Sequence, residues 1–177
     1  ASILCRAGAP RESLSHRELL EEVHLATSLC AESDPLDLKD GVAEQFCRTH
    51  GLKITLDSSI TKAAVVSLVA QWPQGVRLET LYQQASKLLT EHGYEISTGA
   101  QSLLSDELVT LFEAGQIDLR LREPVYAREI SEYPQAHMLA RLEAERRKTL
   151  TTPYHLPLPF EPQALALVHA LDGSRSQ

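Results

Sequence analysis

Few residues in this chain have the type and spacing for chemistry to be done jointly. Glu21 and His24 form an ExxH pair, the spacing by which carboxylate-bridged di-iron bundles place a carboxylate and an imidazole on one helical face. Such a bundle needs the motif twice plus two further glutamates, and here the motif occurs once. The seven histidines include no i, i+4 pair that would aim two rings at one metal, so no metal site is expected. Cys5, Cys30 and Cys47 are odd in number and form no CxxC. They read as reduced thiols packed into a cytosolic protein. The concentrated positive charge is Arg146-Arg147-Lys148, with Arg141 one to two turns earlier on the same helix. These four residues suit either a solvated helix C-terminus or a contact for an acidic partner or substrate. Trp72, the lone tryptophan, is expected in the core.

The motifs that open common mechanisms are absent. S-adenosylmethionine-binding Rossmann domains need a glycine-rich turn after their first strand, so that backbone can approach the cofactor. The sequence contains no GxGxG, P-loop, HExxH or GxSxG, hence no catalytic residue and no bound cofactor are expected in the chain itself.

The elements that would position these residues follow from periodicity. Ser15 with Glu18 three residues on is a capping box opening a helix. Val23 to Cys30 is expected to be a strand, followed by a loop through Pro35 and Gly41, and Leu52, Ile54 and Leu56 alternate as a half-buried strand. Three helices then succeed one another. Ile60 to Gln71 is apolar almost all round and therefore central. The next carries Leu78, Leu81, Tyr82, Ala85, Leu88 and Leu89 at helical spacing and ends at Gly93, and the third runs through Leu103, Leu108 and Phe112 to Gly115. A strand alternating at Ile117, Leu119 and Leu121, paired around Pro124, completes a winged-helix pattern over 58–130. A charged helix from Gln135 to about Arg147, a proline-rich strand-like stretch and an apolar helix after Pro162 follow. The expected architecture is thus α+β and mostly helical, with a winged-helix-like core and short strands. It comprises a domain at 1–135 and, at 136–177, a connecting helix and the start of a second small domain. Burying six apolar side chains of the second helix yields on the order of 10 kcal/mol gross, whereas ordering each of its residues costs about 1–2 kcal/mol. That helix must pack on its neighbours.

Composition limits the partners. The chain has 177 residues, 43% of them apolar, and 24 acids against 17 bases, for a formal charge of -7. Residues 58–135 alone hold ten acids and six bases, a balance that repels a phosphate backbone. Nucleic acid is therefore not an expected partner, even though winged helices often enter grooves. No apolar run reaches the roughly 20 residues of a membrane span, and no leader is apparent, so the expectation is cytoplasmic and without membrane contact. The strand-like run Ser2–Arg6 at the very start and a first residue that is not methionine read as a piece of a longer chain.

Several segments, in order, resemble the regulatory domain of bacterial S-adenosylmethionine-dependent methyltransferases of the protein-lysine-methyltransferase type. The opening Ser2-Ile3-Leu4-Cys5-Arg6 is similar to that family's first strand. Glu44-Gln45-Phe46, Gly51 to Thr55, Lys62-Ala63-Ala64 and Trp72-Pro73 are similar to its middle, and Ser131 to Ala136, Leu139-Ala140-Arg141 and Leu171-Asp172-Gly173 to its exit. Where relatives carry an asparagine and a glutamine-rich helix end, this chain has Glu143, Glu145 and Thr151-Thr152. The resemblance implies a non-catalytic accessory part whose S-adenosylmethionine is bound by a separate catalytic domain. Its partners would be that domain, a protein substrate and a second copy of the chain. The alternative is a winged-helix transcriptional or protein-interaction module.

Overall fold

The computed structural model describes residues 15–48, 53–122, 129–146, 149–152 and 157–176. The opening run Ser2–Arg6, Cys5, Pro124, Arg147 and Lys148 lie outside them. The chain divides into two compact units, Ala1–Glu123 and Pro124–Gln177, and the fold is α+β, with short antiparallel sheets among its helices.

The first unit begins with helix α1 (His16–Glu22), opened by the capping box. The Ser15 hydroxyl receives the Glu18 N–H, and the Glu18 carboxylate receives the Ser15 N–H at 2.7 Å. Strand β1 (His24–Ala26) follows at once. The expected single strand over 23–30 is in fact broken, because the buried Thr27 turns its hydroxyl onto the Gln116 carbonyl (2.7 Å) and takes the Leu29 N–H (3.2 Å). The chain thereby leaves one sheet and joins another as β2 (Cys30–Ala31). Strands β3 (Glu44–Cys47) and β4 (Lys53–Leu56) extend that second sheet in the order β2-β3-β4.

Helix α2 (Ser59–Gln71) is central, as its composition demands. Ile60 through Val65 are all buried, and only beyond them does one side open to solvent. Strand β5 (Val76–Arg77) leads into α3 (Leu78–Glu91), whose Leu78, Leu81, Ala85 and Leu89 form the buried stripe read from sequence. Gly93, at φ 78, ends it in a left-handed turn in which the Tyr94 N–H reaches the Leu89 carbonyl. Helix α4 (Ala100–Glu113) buries Leu104, Leu108 and Leu111 but leaves Leu103 outside, and β6 (Asp118–Arg120) follows. Strand β6 pairs with β1, which lies between β5 and β6, so the strand brought in before α2 occupies the middle of this sheet. Apolar side chains of all four helices and both sheets meet in one core.

The second unit contains α5 (Met138–Arg146), β7 (Thr149–Thr151), β8 (Pro157–Pro159) and α6 (Pro162–Ala170), with β7 and β8 antiparallel. Pro162 opens α6, where its missing N–H costs nothing. A bridge between Gln135 and Asp172 closes the unit, reinforced by bonds from the Ala136 N–H to the Leu171 carbonyl (2.9 Å) and from the Gly173 N–H to the Pro134 carbonyl (3.2 Å).

Candidate functional site

In the first unit several residues with functional side chains serve the structure instead. Glu21 lies on α1 and His24 on β1, so the ExxH pair shares no helical face, and among the described residues no cluster of histidine, cysteine and carboxylate could hold a metal. Trp72 is not in the core. It is 42% exposed and covered on one face by Arg120, whose guanidinium carbon lies 5.2 Å from the ring centroid while one of its nitrogens donates to the Pro73 carbonyl at 2.5 Å. A cation–π contact thus takes the place of apolar packing. Nor are the cysteines both buried: Cys30 is exposed and Cys47 half-buried, and each is a free thiol.

Lys62 is the unexpected residue. It is fully buried on α2, and its ammonium donates to the carbonyls of Asp37 (2.8 Å), Lys39 (2.7 Å) and Val42 (2.8 Å). All three donors are used, which makes it a clamp on the 37–42 loop, with no proton left for catalysis. Burial holds its pKa below the ordinary 10.5, against the opposing charges of Asp37, Glu44, Asp40 and Asp57. The signal for it was present in sequence as a lone lysine inside the apolar run Ile60–Val66, which periodicity alone passes over. A shallow groove of about 310 Å³ between β4 and α4 is lined by Ile54, Leu56, Asp57, Glu107, Thr110 and Leu111.

The second unit presents a surface of another kind. Only Leu150 and Leu165 among its described apolar side chains are buried, while Met138 (80% exposed), Ile130 (78%), Leu167 (62%), Tyr133, Leu139 and Leu142 face outward. Met138, Leu139 and Leu142 sit at i, i+1 and i+4 on α5 and so share a side of that helix. This apolar face escapes the sequence pattern because neither helix shows a sharp polar-to-apolar division.

The basic cluster read from sequence is divided by the structure. Arg141 is half-buried and committed: its Nε donates to the His169 carbonyl at 3.3 Å, tying α5 to α6, and its charge helps to hold the Asp172 carboxyl below the ordinary range. The chief cause of that shift is the Ser174 hydroxyl, then the Ser174 N–H. Arg146 stands exposed in the last turn of α5, while Arg147 and Lys148 lie outside the described residues. Glu143 has a clear part in this unit. It is buried, and its carboxylate accepts the Thr151 N–H at 2.7 Å and the Thr151 hydroxyl at 2.8 Å, pinning β7 to α5.

No family model matches the chain, and no curated protein matches it. Its fold does match solved structures. PKMT2 from Rickettsia typhi aligns with a TM-score of 0.78 and 18% identity, over 97% of this chain and 36% of that one. The same protein in complex with AdoHcy aligns equally well, over 97% of this chain and 35% of the other. The chain therefore shares the fold of part of these structures and spans little more than a third of their length.

Proposed function

We propose that this chain is a non-catalytic accessory part of an S-adenosylmethionine-dependent methyltransferase, contributing substrate placement and domain contacts while a separate domain binds the cofactor and transfers the methyl group. The observation that carries this reading is the pairing of a near-complete structural match to part of PKMT2 with a sequence that lacks any glycine-rich cofactor turn. Binding of AdoHcy belongs to the neighbour as described; methylation chemistry is the natural setting for a domain of the same fold. The outward apolar face of the second unit suits a role in domain contact, since exposed apolar patches mark interaction surfaces. Arg146, four residues beyond Leu142 on the same helix, supplies positive charge beside that face for an acidic partner. No described helix is long and apolar enough to cross a membrane.

The reading is tested by titrating the chain with S-adenosylmethionine in a calorimeter. No heat of binding is expected, and micromolar affinity would overturn the assignment.

The second reading is a winged-helix interaction or transcriptional module. It is favoured by the order α2-β5-α3-α4-β6 around a three-stranded sheet. Duplex DNA is a poor partner for it. On α4, Asp106 pairs with Arg17, and Glu113 lies 2.9 Å from the His16 ring, so α1 covers part of the helix that would have to enter a groove. A shift assay at about 0.15 M salt, where screening leaves only close phosphate contacts, should show weak binding without sequence preference. Tight, sequence-dependent retardation would favour the module.

A further inference from the structure

Cys30 and Cys47 are separated by the whole 31–46 segment in sequence, yet they are directly opposed partners across the antiparallel β2–β3 ladder. Directly opposed residues project to the same face of a sheet. The face they share is the outer one. Ala31, Phe46 and Ile54, which alternate with them along the strands, pack into the core, and Cys30 is exposed while Cys47 is half-buried. The backbone bond from the Glu32 N–H to the Gln45 carbonyl at 2.9 Å, two positions along, fixes the pattern of the ladder. By its alternation Cys30 and Cys47 form a hydrogen-bonded pair, with α-carbons about 5.5 Å apart, within the span that a disulfide bridges.

The geometry points to a reversible dithiol–disulfide site at Cys30 and Cys47, closed by exchange with a low-molecular-weight disulfide of the glutathione class. Cys30, the exposed thiol, attacks one sulfur of the small disulfide as its thiolate. A mixed disulfide forms, and the other half leaves as a thiolate that takes up a proton. Cys47 then attacks the Cys30 sulfur, the intramolecular bond forms, and the second small thiol is released. Two electrons pass from the protein to the small disulfide, and the two cysteine protons end on its two halves.

The bond would close the base of the 31–46 loop. That loop already receives the Lys62 ammonium at three carbonyls, and within it the Glu44 carboxylate accepts the Asp37 N–H at 3.1 Å and the Ser33 hydroxyl. Oxidation therefore ties down a segment already built for one conformation. Strained or exposed disulfides are the labile and regulatory ones, and a bond at a hydrogen-bonded ladder position on an outer face belongs to that kind.

The test uses the folded, full chain incubated with oxidised glutathione and digested with trypsin without reduction. Cleavage after Arg17, Lys39 and Arg48 separates the two cysteines, placing Cys30 in 18–39 and Cys47 in 40–48. The expected product is those two peptides joined, lighter than their sum by two hydrogens, and separated again by dithiothreitol. The oxidised chain should melt about 5 °C higher than the reduced one, and Cys30→Ser should abolish that shift. Separate glutathione adducts on the two cysteines, a link through Cys5 instead, or a link that forms only in urea would each overturn the proposal.

Discussion

The two units solve the same problem of stability by different means. In the first, all four helices and both sheets send apolar side chains into one core, and even its buried lysine serves by clamping a loop. In the second, two described apolar side chains are buried, and the elements are held by polar ties: Glu143 to Thr151, Arg141 to His169, Gln135 to Asp172. A unit held by few polar bonds, with apolar surface left outside, is suited to receive something on that surface, whereas a unit with a filled core already has its structure. The contrast fits the proposal above, in which Ala1–Glu123 is the scaffold and Pro124–Gln177 carries the contact surface.

The largest expected effect sharpens that contrast directly. Leu81→Ala or Leu104→Ala, each at a fully buried position of the first unit, should cost about 3–5 kcal/mol in urea unfolding, since a close-packed core cannot collapse onto the cavity. Leu165→Ala in the second unit should cost only about 2 kcal/mol, the low end for such a truncation, because its surroundings are thin and can relax. Equal costs would mean that the second unit has a core of its own and would end the comparison. Lys62→Met comes next, at about 2–3 kcal/mol, because the carbonyls of Asp37, Lys39 and Val42 all lose a charged, buried donor. Its pH dependence has a fixed sign. The folded pKa lies below the ordinary 10.5, so between the two values the unfolded chain holds the proton that the folded one has released. Wild type should therefore gain stability relative to Lys62→Met as pH rises through that window. A relative loss there would show that the folded state prefers the charged amine.

Much of the first unit was legible in the chain. The stripe on α3, the stop at Gly93 and the all-apolar α2 follow from helical periodicity and backbone freedom, and each holds in the structure. The sheets were less legible, since strands of two or three residues are too short to display alternation, and the break at Thr27 depends on a carbonyl 89 residues away. Trp72 defeated the expectation of core packing because its cover, Arg120, is supplied from β6 rather than by neighbours in sequence. Of the candidate contact residues, Arg141 could be placed on a helix but not assigned its bond to His169, 28 residues on. The exposed apolar face of the second unit was invisible for a simpler reason, namely that composition does not tell which apolar residues fail to find cover.

A smaller effect probes the polar ties of the second unit. Glu143→Gln keeps the shape of the side chain, and its remaining oxygen can still accept the Thr151 N–H. The NH2 in place of the other oxygen no longer accepts the Thr151 hydroxyl, and the charge that strengthens both bonds is lost. A loss of about 1–2 kcal/mol is expected, seen as faster hydrogen exchange at Thr151 and along β7. Exchange in α2 and α3 should not change. If it did, the units would be thermodynamically one body and the contrast between them would fail.

The smallest expected effect concerns one carboxylate in each unit. Glu18 is held below its ordinary 4.5, first by the Ser15 hydroxyl and then by the Ser15 N–H. Asp172 is held below its ordinary 3.8, first by the Ser174 hydroxyl and then by the Ser174 N–H, with the charges of Arg175 and Arg141 adding to the effect. A depressed carboxylate contributes stability that is present above its unfolded pKa and is lost as pH falls through the folded one. Both contributions therefore belong to the acid side of neutrality. Carboxyl resonances followed by NMR during an acid titration should give midpoints below those ordinary values for both residues. Ser15→Ala should raise the midpoint of Glu18 and leave Asp172 where it was, because each carboxylate answers to a hydroxyl of its own unit. Ser174→Ala should do the reverse, and only in part, since the backbone N–H of residue 174 and then the charges of Arg175 and Arg141 still favour the ionised Asp172. A change in Asp172 on Ser15→Ala would show that α1 and the Asp172 turn are coupled, and the separation of scaffold from contact surface would have to be given up.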